Sequence, residues 1–263
     1  MNKILFLLIL LVLSSGDDRF TLINTVKVNG DFYCTDHLEN IYAIKGQQIT
    51  KFDSNGNKIT SYSNSYLGNI FSADVSDPLR ILLFYKDFNQ IMFLDNTLAG
   101  IKSPIILDDL GIEQVRVACS SKNGGFWIFN DQTYQLMHYD RNLELTQQSI
   151  NLGAILKDDE KPEFLYEKAN NIYMNVPNTG ILVFDQFGAY YKTISLKGLK
   201  HFQISGDNIV YMSNNSMVKY NRKLLSDVKI TLPDTNDVID ARIGQTKLFI
   251  IKKEKVSVYR INK

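Results

Sequence analysis

The chain alternates between short runs that are apolar at every position and short runs in which apolar and polar residues alternate. The stretch from Arg80 to Asp95, RILLFYKDFNQIMFLD, contains the first kind twice. Ile81-Leu82-Leu83-Phe84-Tyr85 and Ile91-Met92-Phe93-Leu94 read as two strands joined at Lys86-Asp87-Phe88-Asn89. A strand apolar throughout is buried on both faces, whereas a two-layer sandwich usually leaves one face in water. The second kind appears in Lys58-Ile59-Thr60-Ser61-Tyr62 and in Tyr191-Lys192-Thr193-Ile194-Ser195-Leu196. No segment of a dozen residues keeps a clean helical period, and aromatic and β-branched residues abound. The chain reads as all-β.

The pattern repeats. Six segments share one shape: Ile49 to Asp53, Ile91 to Asp95, Leu136 to Asp140, Ile181 to Asp185, Met217 to Asn221 and Val256 to Arg260. Each opens on an aliphatic residue or Met and carries an aromatic residue or Leu in fourth place. The fifth place is Asp in the first four segments, then Asn, then Arg. Fifth positions recur at 53, 95, 140, 185, 221 and 260, spacings of 42, 45, 45, 36 and 39 residues. That is the period of a four-stranded propeller blade. An all-apolar strand precedes each segment, and a shorter one, such as Phe71-Ser72-Ala73-Asp74, precedes that. After the Asp comes a turn, which its carboxylate can hold by accepting from backbone N–H groups two residues on. Blades stacked against one another bury both faces of their middle strands and leave the fourth strand to solvent. The last unit stops after its third strand, while Phe20 to Val28 forms a lone strand near the start of the chain. Pairing that strand onto the last blade predicts a six-bladed β-propeller with a closed ring.

The pairs Phe52-Asp53, Tyr139-Asp140 and Phe184-Asp185, each followed by a turn rich in Gly or Asn, resemble those of NHL/YVTN-like six-bladed propeller proteins. The resemblance covers roughly residues 20 to 262 in shape. The Gly-His…Trp-Asp signature of WD40 repeats is missing. The resemblance implies a scaffold or binder, with hydrolases and lyases a minority among such proteins.

The first residues change the picture of location. Met1-Asn2-Lys3, ten apolar residues from Ile4 to Leu13, and Ser14-Ser15-Gly16 fit a signal peptide at 1–16. The apolar run falls short of the ~20 residues of a spanning helix. The expectation is therefore a periplasmic or secreted protein, with the propeller domain at 17–263. Its 29 basic and 28 acidic residues are dispersed, without the basic stripe of a nucleic-acid binder. The run Lys157-Asp158-Asp159-Glu160-Lys161 reads as a solvated loop. Cys34 and Cys119 fall on the innermost strands of blades one and three, with blade two between, so both are expected to be reduced.

Candidate chemistry is sparse. His37, His138 and His201 have no metal-ligand spacing, and His138 takes the variable third place of the repeat. Gly124-Gly125 reads as a turn, Trp127 as core, and the sequon Asn214-Asn215-Ser216 as a hairpin turn. Aligning the innermost strands on Asp74 pairs it with Thr35, Cys119, Glu167, Gly206 and Arg242. That set is no converging ring of cation ligands, and Asp74, Glu167 and Arg242 suggest an ion-pair network in a polar channel. No metal and no cofactor are expected.

The hairpins joining second and third strands emerge on one face and differ from blade to blade. Blade two offers Tyr85, Lys86 and Phe88, and blade three offers Tyr134. These four are the candidate binding residues, forming an aromatic patch with a lysine beside it. The competing reading folds Phe88 back onto a neighbouring loop. The expected function is a non-catalytic interaction scaffold whose partner is another envelope or extracellular protein. The alternatives are a hydrolase or lyase with a channel cation and a carbohydrate-binding propeller.

Overall fold

The computed structural model describes residues 19–156 and 160–262. The segment read as a signal peptide lies outside the described residues, as does Lys157-Asp158-Asp159. No helix among the described residues is long and apolar enough to cross a membrane.

Among the described residues, twenty-four strands form six antiparallel four-stranded sheets. The first strand, β1 (Phe20–Lys27), is the outer strand of the last blade. Blade one is β2 (Phe32–Thr35), β3 (Ile41–Lys45), β4 (Gln48–Phe52) and β5 (Lys58–Ser63). Blade two is β6 (Ser72–Asp74), β7 (Ile81–Tyr85), β8 (Gln90–Leu94) and the short β9 (Ile105–Ile106). Blade three follows as β10 (Val115–Ser120), β11 (Phe126–Asn130), β12 (Gln135–Tyr139) and β13 (Leu145–Gln148). Blade four runs through β14 (Phe164–Lys168), β15 (Asn171–Val176), β16 (Gly180–Asp185) and β17 (Tyr190–Ile194). Blade five comprises β18 (Gln203–Ser205), β19 (Asn208–Ser213), β20 (Ser216–Asn221) and β21 (Ser226–Ile230). Blade six has β22 (Asp240–Ile243), β23 (Lys247–Lys252) and β24 (Lys255–Ile261), completed by β1.

The all-apolar strands are explained by where the core lies. Six clusters of buried side chains occupy the six junctions between neighbouring blades. In β7, Ile81, Leu83 and Tyr85 pack toward blade one, while Leu82 and Phe84 pack toward blade three. Both faces of the strand are thus dry, and burying each large apolar side chain contributes about 1.5–3 kcal/mol.

Ring closure has the expected pairing, with Phe20 opposite Ile261 and Lys27 opposite Lys255. Its alternation is broken by a bulge between Leu22 and Asn24. The extra residue rephases the strand, so Phe20 packs between blades five and six while Ile23 and Val26 pack between six and one. Leu22 is left facing solvent.

The recurrent acid is a turn device. Asp53, Asp95, Asp140 and Asp185 each accept backbone N–H groups two and four residues on. Asn221 serves the fifth blade by accepting from Lys223 and Leu224. At Asp53, partial burial works to raise the carboxyl pKa, but the Asn57 amide and the turn N–H groups outweigh it and hold it down. Gly125 ends a turn at φ +75, and a Cβ there would lie 1.8 Å from the Tyr139 carbonyl, so the turn needs glycine. Asn214 and Asn215 are the two left-handed residues of the tight β19–β20 hairpin.

Candidate functional site: an aromatic face beside the channel

The hairpin between β7 and β8 is a 3₁₀ turn, Lys86–Phe88, closed by Asn89 in the left-handed conformation at φ 49. Asn89 is buried, and its side-chain amide donates to Asp108 Oδ1 and to the Ile112 carbonyl. The turn is thereby pinned to the following loop, and Phe88 is aimed outward. The loop that leads into blade two lies alongside. Asn64 caps its 3₁₀ turn, Ser65–Leu67, by accepting the Tyr66 N–H at 3.0 Å. Gly68 follows with φ +75, and a Cβ there would come within 2.7 Å of the Phe88 ring. Phe88 therefore leans on the neighbouring loop and still exposes 53% of its surface. The ring thus folds back onto a neighbouring loop and keeps its outer part in solvent.

Two aromatic residues that the sequence reading did not single out complete the face. Tyr66 is 90% exposed and Phe71 is 42% exposed. Lys86 holds its ammonium 4.7 Å from the Phe71 ring centroid. Partial burial lowers the Lys86 pKa first, and the nearby Arg116 guanidinium lowers it further. The signal for Tyr66 was available, since a tyrosine between Ser65 and Leu67 in a loop has no strand to serve. Phe71 was read as the first residue of an inner strand, but β6 begins at Ser72.

The other candidates divide. Tyr85 is fully buried in β7 and offers nothing to a partner, which corrects its inclusion in the patch. The strand of which it is the last residue is covered on both sides, as its neighbours in sequence require. Tyr134 is half-buried, edge-on to Phe129 at 6.4 Å, with the Lys161 ammonium 5.4 Å from its ring. It rests on the core between blades three and four. Between it and Lys86 lie Arg116 and Asp131, which pair at 3.8 Å. The face therefore runs from Tyr66 and Phe88 through Phe71 and Lys86 to a mixed charged margin near Tyr134.

Phe71 also lines the central channel, a cavity of about 540 Å³ bounded by the inner strands of all six blades. Cross-strand register places Cys34, Asp74, Cys119, Tyr166, Gln203 and Arg242 at one level. The sequence alignment had the right residue at Cys119 and Arg242. It was one residue late at Thr35 and Glu167, and three late at Gly206, because these short strands lack a distinctive pattern.

Among the described residues, no ion pair joins Asp74 or Glu167 to Arg242, and the acids clasp neighbouring blades instead. Asp74 accepts the Ser120 N–H at 2.8 Å, joining blades two and three. Glu167 accepts the Trp127 indole N–H at 2.9 Å, joining three and four. Gln203 accepts from Ile243 N–H and donates to its carbonyl, joining five and six. Glu39 accepts from Thr246 and Lys247, joining one and six. Arg242 pairs with Asp240, two residues away on its own strand, at 2.7 Å. Among the described residues, no group of three or more His, Cys, Asp or Glu is arranged to hold a metal ion.

Cys34 and Cys119 are unbridged. Burial pushes the Cys34 thiol up to about 12, against the pull of Arg242, and raises Cys119 likewise. His138 is buried between the Thr146 hydroxyl at 2.6 Å and the Gly124 carbonyl at 3.1 Å, and burial lowers its pKa. Facing a carbonyl, its Nε2 carries the hydrogen, and Nδ1 accepts from Thr146. His201 reaches solvent at the channel wall, where the surrounding protein and then Arg242 push its pKa down to about 4.

Such a ring of six blades around a lined channel defines the class of protein as a six-bladed β-propeller. The Pan2 WD40 domain of Neurospora crassa shares the fold with a TM-score of 0.64 at 11% identity, covering 94% of this chain and 97% of that one. A streptogramin B lyase structure aligns at 0.60 and 12% identity, covering 95% and 100%. BBS1N, in a structure of its complex with ARL6DN, aligns at 0.53 and 18% identity, covering 88% and 77%. No protein-family model matches the chain, and no curated protein matches its sequence. At these identities the likeness carries the fold alone.

Proposed function

We propose that this protein is a non-catalytic propeller that binds another protein through the face built by Tyr66, Phe71, Lys86 and Phe88. The observation that carries the reading is the exposure of Tyr66, Phe71 and Phe88 on a pinned hairpin and its neighbouring loop, which meet where Phe88 seats on Gly68 and where Lys86 lies over the Phe71 ring. Monomeric surfaces seldom gather exposed rings this way, and aromatic anchors on a rigid support are what interface cores use. Asn89 and Gly68 hold the geometry before any partner arrives, which lowers the entropy cost of docking. A fold relative crystallised with a bound protein, BBS1N with ARL6DN, supports the same use of the scaffold. The signal-like residues 1–16 extend the proposal to an exported protein whose partner sits in the cell envelope or outside the cell.

The test replaces Tyr66 and Phe88 by Ala and compares partner recovery and melting temperature with the parent protein. Truncating an anchor costs about 2 kcal/mol or more of binding. Recovery lost at unchanged melting temperature supports the interface. Recovery intact with a lowered melting temperature reduces the rings to packing.

A second reading, a lyase or hydrolase acting in the channel, draws on the likeness to streptogramin B lyase and on the size of the cavity. Against it stands the channel acid Asp74, whose oxygens already accept from the Ser76 and Ser120 N–H groups. A melting temperature that rises with Ca²⁺ and falls with EDTA favours the cation-dependent enzyme. One that moves with neither favours the binding module.

A further inference from the structure

The outer strand of each blade ends its sheet and presents a free backbone edge, and the fold blunts these edges unequally. In blades one, three, four and six the outer strand carries an extra residue that breaks its register with the third strand. These residues are Ile59, Thr146, Tyr191 and Ile23. Such a bulge turns an edge away from further pairing. In blade two the outer strand, β9, is only two residues long. Among the described residues, β21 of blade five alone has neither device. Its five residues pair with β20 in unbroken register, from Ser226 opposite Asn221 to Ile230 opposite Met217. The side chains from Ser226 to Lys229 are all exposed, Val228 by 63%, and exposed Leu224 and Leu225 sit in the turn just before.

The charges on this edge name its partner. Asp227 and Lys229 flank Val228, and among the described residues neither has an ion pair within the chain. The other outer strands hold no charged residue or a single lysine each, Lys27, Lys58 and Lys192. A two-fold axis at Val228 lays two β21 strands side by side and antiparallel, because a two-fold contact pairs residue i with j and j with i. Asp227 of each copy then stands opposite Lys229 of the other, and Val228 opposite its counterpart. Opposed side chains of an antiparallel pair have Cβ atoms ~4.5–5.5 Å apart, close enough for opposite charges to stabilise the pairing. Sliding the strands by two residues sets Asp227 against Asp227 or Lys229 against Lys229. Charge therefore selects the one register.

We propose that two copies of this chain associate edge to edge through β21, joining their fifth blades into one continuous sheet. A five-residue strand buries little area, so the association is weak and depends on concentration. Blade five lies three blades from blade two, and the dimer leaves the face around Phe88 open. The proposal does not rest on the protein-binding reading, and either can fail alone.

Sedimentation velocity on the purified protein over a wide range of concentration is expected to show monomer passing into dimer. Asp227→Lys sets lysine against lysine at both pairs and is expected to weaken dimerisation by about tenfold or more. Adding Lys229→Asp to that variant restores opposite charges in the same register and is expected to recover the parent affinity. Val228→Cys is expected to form a covalent dimer in oxidised glutathione, whereas Ser226→Cys, which stands opposite Ile230 of the other copy, is not. The parent, with Cys34 and Cys119 on its inner strands, is the control for cross-linking. All four substituted positions are exposed, so none is needed for the core. A monomer at every concentration overturns the proposal. A dimer indifferent to Asp227→Lys, or one that the swapped charges fail to restore, overturns it too, because its contact lies elsewhere. Cross-linking at Ser226 as readily as at Val228 overturns the two-fold register.

Discussion

Gly68 and Phe88 show how one residue without a side chain sets the position of a large one. Gly68 sits at φ +75 and ψ −158, a region open essentially to glycine where a β-carbon costs on the order of 1–3 kcal/mol, and the Phe88 ring fills the space that carbon would take. Gly68→Ala is therefore expected to destabilise the protein through both backbone strain and collision with the ring. In a Phe88→Ala background the collision disappears and only the backbone cost remains. A double-mutant cycle by urea unfolding should give a coupling on the order of 1 kcal/mol in the stabilising direction. Strict additivity would mean that the ring does not seat on Gly68. Residues of this kind were half legible. The Asp of each turn could be read with its mechanism, because an acid two residues ahead of a bonded N–H is a local device. Which aromatic rings meet across two loops is not local. Tyr66 and Phe71 joined Phe88 only through the ring's path, while Tyr85, adjacent to the turn, proved to be core.

The elements were legible where their pattern was long or distinctive. The paired middle strands could be read from unbroken apolar runs, and the closing strand from its isolation at the start of the chain. The inner strands, as short as three residues in β6 and β18, carry too few side chains to fix a register, and the alignment slipped there. Hence Glu167 was assigned the level that belongs to Tyr166. The bulge in β1 could not be seen either, since Phe20, Leu22 and Val26 fit strict alternation on paper. Closure itself leads to a prediction. Removing residues 17–29 strips β1 from β24 and leaves backbone groups from Lys255 to Ile261 without their partners. The truncated chain is expected to aggregate or to lose most of its stability. A soluble truncation that melts like the intact protein would refute ring closure by this strand.

At the scale of the molecule, stability rests on six apolar junctions stitched by polar clasps near the channel. The acid side of the pH range should expose this. His138 and His201 are both held below the ordinary imidazole value of 6.5 in the folded state, His201 at about 4. The unfolded chain therefore takes up protons first as the pH drops below about 6.5, and folding stability declines until the folded-state pKa is passed. The melting temperature is expected to fall between pH 6.5 and 4, and His201→Gln should flatten part of that fall. An unchanged slope in the variant would show that His201 titrates normally. The architecture as a whole was the most legible feature, because a period near 40 residues is a global signal that survives local ambiguity. The channel was less so, for its lining depends on register in the shortest strands.

Amide hydrogen exchange on the recovered complex tests the central claim most directly, because it maps the contact without altering any residue. The account predicts added protection over residues 64–71 and 85–89 when partner is bound, with no change in the hairpins of blades five and six on the same face. Protection confined to the outer strands, or to the opposite end of the channel, would contradict it.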